Sequence, residues 1–307
     1  MNIETQKKEI RHNLTGPVAS IRTPFLQDGQ IDKGSLRNFV EFFIEAGSRT
    51  LLLTWGDSLY SILTDQEIAE ITKLVAEQSA GRAMVVAAER NWGTTTVVEF
   101  SKYAKEVKAE VLMITPPDWA GSCTPETLVQ HYAAASKYIP VMLITATFMP
   151  RGESFGLETI IKVRDEVPGV VAIKDDWCGA FGRKMSLLVY DDWAVFSGGQ
   201  KQNHLDLHSY GCDGYLSTFI TFKPQISHSY WTAIKEANFK KVKEIIQTYD
   251  LPLFEFIGPR EGGFDAWFHG IYEIYGLAQR WRRPPYYSLS DTDMEELKDF
   301  LTKSNLL

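Results

Sequence analysis

A chain of 307 residues with 44% hydrophobic composition can bury a sizeable core, as one large domain or two ordinary ones. Its formal net charge is -7, from 39 acidic and 32 basic residues, and it has no long Lys/Arg block to neutralise a row of phosphates, which argues against a nucleic-acid partner. Residues 1–12 read as a polar arm of mixed charge, unlike a secretion signal or a transit peptide, and no apolar run reaches membrane-spanning length. Cys123, Cys178 and Cys212 are odd in number and widely spaced, so neither a disulfide framework nor a paired-cysteine zinc site is expected, and a reducing cytoplasm fits best.

The first apolar run, residues 18–24, is closed by Pro24, and Leu36, Phe39, Val40, Phe43 and Ile44 then recur at the spacing of one helix face. Leu51-Leu52-Leu53 follows, and after it Thr64-Asp65-Gln66-Glu67 has the form of a capping box opening a helix that buries Ile68, Ile71 and Val75. Met84-Val85-Val86 leads to a helix through Val97, Phe100 and Val107, and Val111-Leu112-Met113-Ile114 leads to one capped by Thr124 with Pro125 in its first turn. Val141-Met142-Leu143-Ile144 precedes a helix over 157–163, and Val170-Val171-Ala172-Ile173 precedes one over 185–189. Short strands at 194–196 and 215–217 bring the total to eight.

Continuous apolar runs alternating with amphipathic helices indicate parallel strands covered on both faces. Eight such couplets predict a (β/α)8 barrel over residues 13–223, with 224–307 supplying its last helix and a C-terminal helical appendage interrupted by Pro252, Gly262-Gly263 and Pro284-Pro285.

In such barrels the chemistry sits where strands end at their carboxyl side. Lys174 closes the run 169–173, and burial at that point disfavours the ammonium and leaves free amine to attack a carbonyl. The plain alternative is a lysine that snorkels to solvent or pairs with Asp175. Other strand ends offer Thr54-Trp55-Gly56-Asp57, Thr115-Pro116-Pro117-Asp118 and Thr145-Ala146-Thr147, while Ser197-Gly198-Gly199-Gln200-Lys201 is either a loop able to approach an anion or a simple tight turn. His204 and His208 share a helix face, but no glutamate follows His204 and that helix lies outside the site, which favours a structural role over a metal.

The order of these features resembles the dihydrodipicolinate synthase and N-acetylneuraminate lyase family of pyruvate-handling class I aldolases. The likeness runs through Thr23-Pro24-Phe25, Leu63-Thr64 with Glu67, Val171-Ala172-Ile173-Lys174-Asp175, Phe196-Ser197-Gly198, Gly214-Tyr215-Leu216-Ser217, Pro224 and Arg283-Pro284-Pro285. The resemblance implies that Lys174 forms a Schiff base and that the loop of Thr54, Trp55 and Gly56 holds the substrate carboxylate. It adds Ile144, Arg151, Gly198 and Leu216 as substrate-binding positions, no cofactor, and a homodimer or homotetramer. The departures are as informative. Trp55 and Asp57 stand within what is usually Gly-Thr-Thr-Gly-Glu, Ile144-Thr145 replaces the Tyr-Asn after strand five, and Pro117-Asp118 replaces the tyrosine pair after strand four. Asp57, Asp118 and Thr145 are therefore the candidate acids and bases. The expected activity is a lyase or aldolase acting on a 2-oxo acid through a Lys174 imine. The alternative is a degenerate barrel that binds such an acid in a regulatory role, and a third reading is phosphorylated-substrate isomerase chemistry at Gly198 and Gly199.

Overall fold

The structure, a computed structural model, describes residues 3–307. Eight parallel strands pair in chain order and close on themselves: β1 (Gly16–Ser20), β2 (Thr50–Leu52), β3 (Met84–Ala88), β4 (Val111–Met113), β5 (Val141–Ile144), β6 (Val170–Asp175), β7 (Ala194–Ser197) and β8 (Gly214–Leu216). β1 is shorter than the apolar run suggests and ends at Ser20, because beyond it the chain bends through Thr23 and Pro24 to an isolated bridge at Phe25. At the seam Gly16 pairs with Gly214, where a Cβ on Gly214 would collide with the carbonyl oxygen of Leu14; only glycine lets the two backbones meet there.

Between the strands lie α2 (Lys33–Glu45), α3 (Asp65–Ser79), α4 (Thr94–Glu106), α5 (Pro125–Ser136), α6 (Glu153–Glu166), α7 (Gly179–Val189) and α8 (Lys201–His208). Both expected caps form, with Thr64 accepting from the Glu67 N–H and Thr124 from the Thr127 N–H.

Ahead of β1 the polar arm is a helix, α1 (Ile3–Leu14), apart from residues 1 and 2, which lie outside the described residues. It buries Ile10 and Leu14, and Arg11 reaches the carbonyls of Tyr190 and Trp193 and the Asp213 carboxylate at 3.3 Å. These groups precede β7 and β8, so α1 packs on the amino-terminal end of the barrel, away from the strand ends that carry Lys174.

α9 (Pro224–Lys235) packs against β1 as the eighth outer helix. The remaining segment holds α10 (Phe239–Ile245), a π-helical turn (Ile246–Asp250), α11 (Leu251–Ile257), α12 (Gly263–Ile274) and α13 (Asp291–Lys303). Tyr272 of α12 packs on Phe39 of α2 at 4.9 Å, and Arg283 grips Glu67 at the start of α3 through two nitrogens, at 3.0 and 2.8 Å. The appendage thus lies over the carboxyl ends of the first strands. No helix among the described residues is long and apolar enough to cross a membrane.

Candidate active site

Which way Lys174 points follows from its neighbour. Asp175 lies against α7, where a Cβ on Gly182 would strike its carboxylate, so Asp175 faces the helix layer and Lys174 faces the barrel interior. Parallel register carries that face to Ile144 on β5 and Phe196 on β7, both paired with Lys174, and alternation carries it to Ala172, Met142, Met113 and Ala88. The same rule places Val18, Ser20, Leu52 and Leu216 on the inside.

The Lys174 side chain is only 6% exposed and its Nζ is ion-paired with Asp176, not Asp175. Asp176 is two residues along the same strand exit, hence on the same face, and its side chain is 27% exposed. Gly198, leaving β7, makes room for this pair: a Cβ there would overlap Asp176 Oδ1 and stand 3.0 Å from Lys174 Nζ. Thr145 holds the exit in shape. Its hydroxyl donates to Asp175 at 2.9 Å and accepts the N–H groups of Asp176 and Trp177 at 2.9 and 3.0 Å. Asp175 takes further N–H bonds from Trp177 and Cys178, both at 3.2 Å. Burial raises the Asp175 carboxyl above its ordinary value, against the Thr145 and N–H bonds that lower it.

Across the barrel, the loop after β2 is a tight turn in which Thr54 accepts the Asp57 N–H at 2.9 Å and gives its own N–H to Ser58 at 3.0 Å. Among the described residues the Trp55 and Gly56 N–H groups have no acceptor. Trp55 itself is 44% exposed.

The carboxylates read as acids or bases are each engaged by arginine. Asp57 accepts from Ser20 at 2.5 Å and pairs with Arg22 at 3.2 Å. Arg22 itself is buried, stacks over Phe268 at 4.4 Å and meets Asp265 of α12 at 3.3 Å, and Asp265 also pairs with Arg282. Asp118 binds Arg151 at 2.7 Å and the Cys123 N–H at 2.9 Å. Desolvation would raise the Asp118 carboxyl, but the Cys123 N–H and Arg151 outweigh it and hold it below its ordinary value. Arg151, whose guanidinium lies 4.0 Å over the Phe155 ring, therefore joins the loops after β4 and β5.

Two buried polar groups, Glu89 and His204, complete the picture. Glu89 directly follows β3 as Lys174 nearly ends β6, and burial pushes it up to about 7. It follows the inward Ala88, so it faces the helix layer, where it accepts the N–H groups of Trp92 at 2.7 Å and of Thr115. His204 is fully buried, bonded to the Tyr230 hydroxyl at 2.8 Å and packed on Tyr215 and Trp231, and His208 lies beside it. Asp176, Ser20 and Arg22 were the inward groups passed over in the sequence. The i,i+2 spacing of Lys174 and Asp176 was a usable signal for the first.

A family model for the dihydrodipicolinate synthetase family matches residues 13–304. The chain belongs to that family. Among curated relatives, the 4-hydroxy-tetrahydrodipicolinate synthase of Dechloromonas aromatica is 25% identical over 76% of this chain and 79% of its own. The protein named probable 5-dehydro-4-deoxyglucarate dehydratase 1 of Streptomyces coelicolor is 24% identical over 95% and 94%. The dihydrodipicolinate synthase structure from Oceanobacillus iheyensis superposes with a TM-score of 0.83 over 98% of this chain and 100% of that one, at 21% identity, which establishes the shared fold.

Proposed function

We propose that this family member is a class I lyase or aldolase that takes a 2-oxo acid, of pyruvate or 2-keto-3-deoxy sugar-acid type, as a Schiff base on Lys174. The observation that carries the reading is a lysine nitrogen inside the strand ring, at its carboxyl end, held by a single partly exposed carboxylate. The open N–H groups of Trp55 and Gly56, with the Thr54 hydroxyl, suit the substrate carboxylate. Ile144 pairs with Lys174 across the strands and Gly198 abuts its nitrogen, which supports them, with Leu216 on the same inner face, as substrate-contacting positions, while Arg151 joins the loops after β4 and β5. The dehydratase relative, whose name specifies a deoxy oxo sugar acid, supports including that substrate class. A cytoplasmic homodimer or homotetramer needing no cofactor completes the proposal.

A second reading rests on Ile144, which stands beside Lys174 where a proton-relaying tyrosine is usual and which carries no proton to give. On that reading the barrel binds a 2-oxo acid without turning it over. Sodium borohydride reduction with pyruvate and a panel of 2-keto-3-deoxy sugar acids separates the two. The expected result is a stable adduct mapped to Lys174, absent in Lys174→Met, together with product from at least one acid of the panel. An adduct with no product from any acid would establish the binder, and an adduct elsewhere or none would end both.

A further inference from the structure

The family's relay tyrosine is replaced by Ile144, so the imine chemistry lacks a proton carrier, while one carboxylate that none of the preceding assignments employs touches the reacting nitrogen. From that geometry we infer that Asp176 is the proton-transfer residue of this enzyme, a catalytic residue acting directly at Lys174 Nζ; the inference rests on the Schiff-base reading above.

Four observations support it. Asp176 is ion-paired with Nζ, on the inner face. Its side chain is 27% exposed against 6% for the lysine, so it is the more open member of the pair and the one a ligand from solvent can reach. The backbone at 176 is clamped by Thr145 at 2.9 Å, which fixes the carboxylate's origin, and Gly198 leaves space beside its oxygen. The other acids at this end are committed: Asp57 to Arg22 and Ser20, Asp118 to Arg151, Asp175 to Thr145 and two N–H groups, Glu89 to the N–H groups of Trp92 and Thr115 on the helix side, and Asp265 to Arg22 and Arg282.

The proton account closes with this one group. Asp176 takes a proton from the Lys174 ammonium, and the freed lone pair bonds to C2 of the oxo acid as the carbonyl π pair moves to oxygen. Asp176 relays a proton from nitrogen to that oxygen, giving a neutral carbinolamine. It then delivers the proton first taken from the ammonium to the hydroxyl, and the C2–O bond breaks to release water. The three ammonium hydrogens end as one on the iminium nitrogen and two in water, so no outside acid is consumed and Asp176 is again a carboxylate. In that form it accepts a proton from C3, the C–H electron pair forming the C2–C3 double bond while the iminium π pair settles on nitrogen as an enamine. The reverse step protonates the enamine.

The test follows imine formation and C3 proton exchange in the intact protein with pyruvate. Imine is timed by borohydride quench and mass spectrometry, exchange by loss of the methyl proton signal in heavy water. Asp176→Asn is expected to slow imine formation by roughly 10²-fold or more and to stop exchange. Asp176→Ala is expected to be equally slow and to speed up as formate is added, which a purely structural role would not do. Thermal melts of both variants identify any that fail to fold, and Asp176→Ser, which retains a small polar side chain, then replaces it. Wild-type rates in a folded variant would overturn the role of Asp176 alone, as would a slowed Ala variant indifferent to formate. No adduct in the wild type with any acid of the panel would overturn the Lys174 reading, and this one with it.

Discussion

Two lysines sit one strand apart at the same end of this barrel, each buried and each paired with an aspartate, and they are built for opposite ends. Lys201 opens α8 and pairs with Asp250 of the π-helical turn, with side chains 2% and 1% exposed. Asp250 also takes the Lys201 N–H at 3.2 Å, and the Phe219 and Tyr230 rings lie 4.2 and 5.7 Å from the ammonium. Burial pulls the Lys201 amine below its ordinary value, while Asp250 pulls the other way. Lys174 has the same partner type, but that partner belongs to its own strand exit and is partly open. A sealed pair between distant segments locks the appendage to the barrel. A half-open pair within one segment leaves the nitrogen within reach of a ligand.

The largest expected effect comes from breaking the sealed pair, and it falls on folding. Lys201→Met strands the Asp250 carboxylate and is expected to cost about 3–5 kcal/mol in urea unfolding. The double change Lys201→Met with Asp250→Leu should recover most of it, because no buried charge is then left unpaired. Equal losses in the single and double variants would mean the pair is not the lock.

The open pair is sharpened by crowding it. Gly198→Ala puts a methyl group onto Asp176 and 3.0 Å from Lys174 Nζ. Borohydride-trapped imine should form roughly 10²-fold more slowly, the cost of displacing a reacting group by about an ångström. Unchanged kinetics would show that the pair is not confined as described.

The smallest expected effect concerns pH and separates sealed groups from open ones by titration. Burial lowers His131 to about 4 and His204 to about 3, the latter aided by His208, from the ordinary 6.5. Between those values the unfolded chain binds protons the folded one refuses, so stability should fall as pH drops below 6.5. Each ring contributes about 2 kcal/mol of that loss by pH 5. In His131→Asn, melts between pH 7.5 and 5 should show a shallower decline, and an identical slope would refute the burial account for that ring.

Much of the fold was legible because it rests on local periodicity. Apolar runs marked the strands, and the threonines at 64 and 124 marked helix starts through bonds spanning three residues. The candidate site was only half legible. Lys174 and Glu89 give the same linear signal, a charge at the end of a buried run, yet one faces inward and the other toward the helices. Parity along the strand separates them once register is known, and register is set by pairing across the barrel. Arg151 and Asp118, expected as separate actors, are one ion pair, since a side chain's partner is chosen by loops that only folding brings together.

The amino-acid order alone determined the alternation of strand and helix, and with it the barrel, because each element's hydrophobic period is a property of neighbouring residues. It also determined that an amine would stand at the end of the sixth strand. Only the tertiary structure decided which groups that amine meets, which carboxylates arginines have already claimed, and that α12 and the segment after it cover the first strand ends. Those are contacts between segments far apart in the chain, and they depend on strand register and loop conformation, which no local pattern encodes.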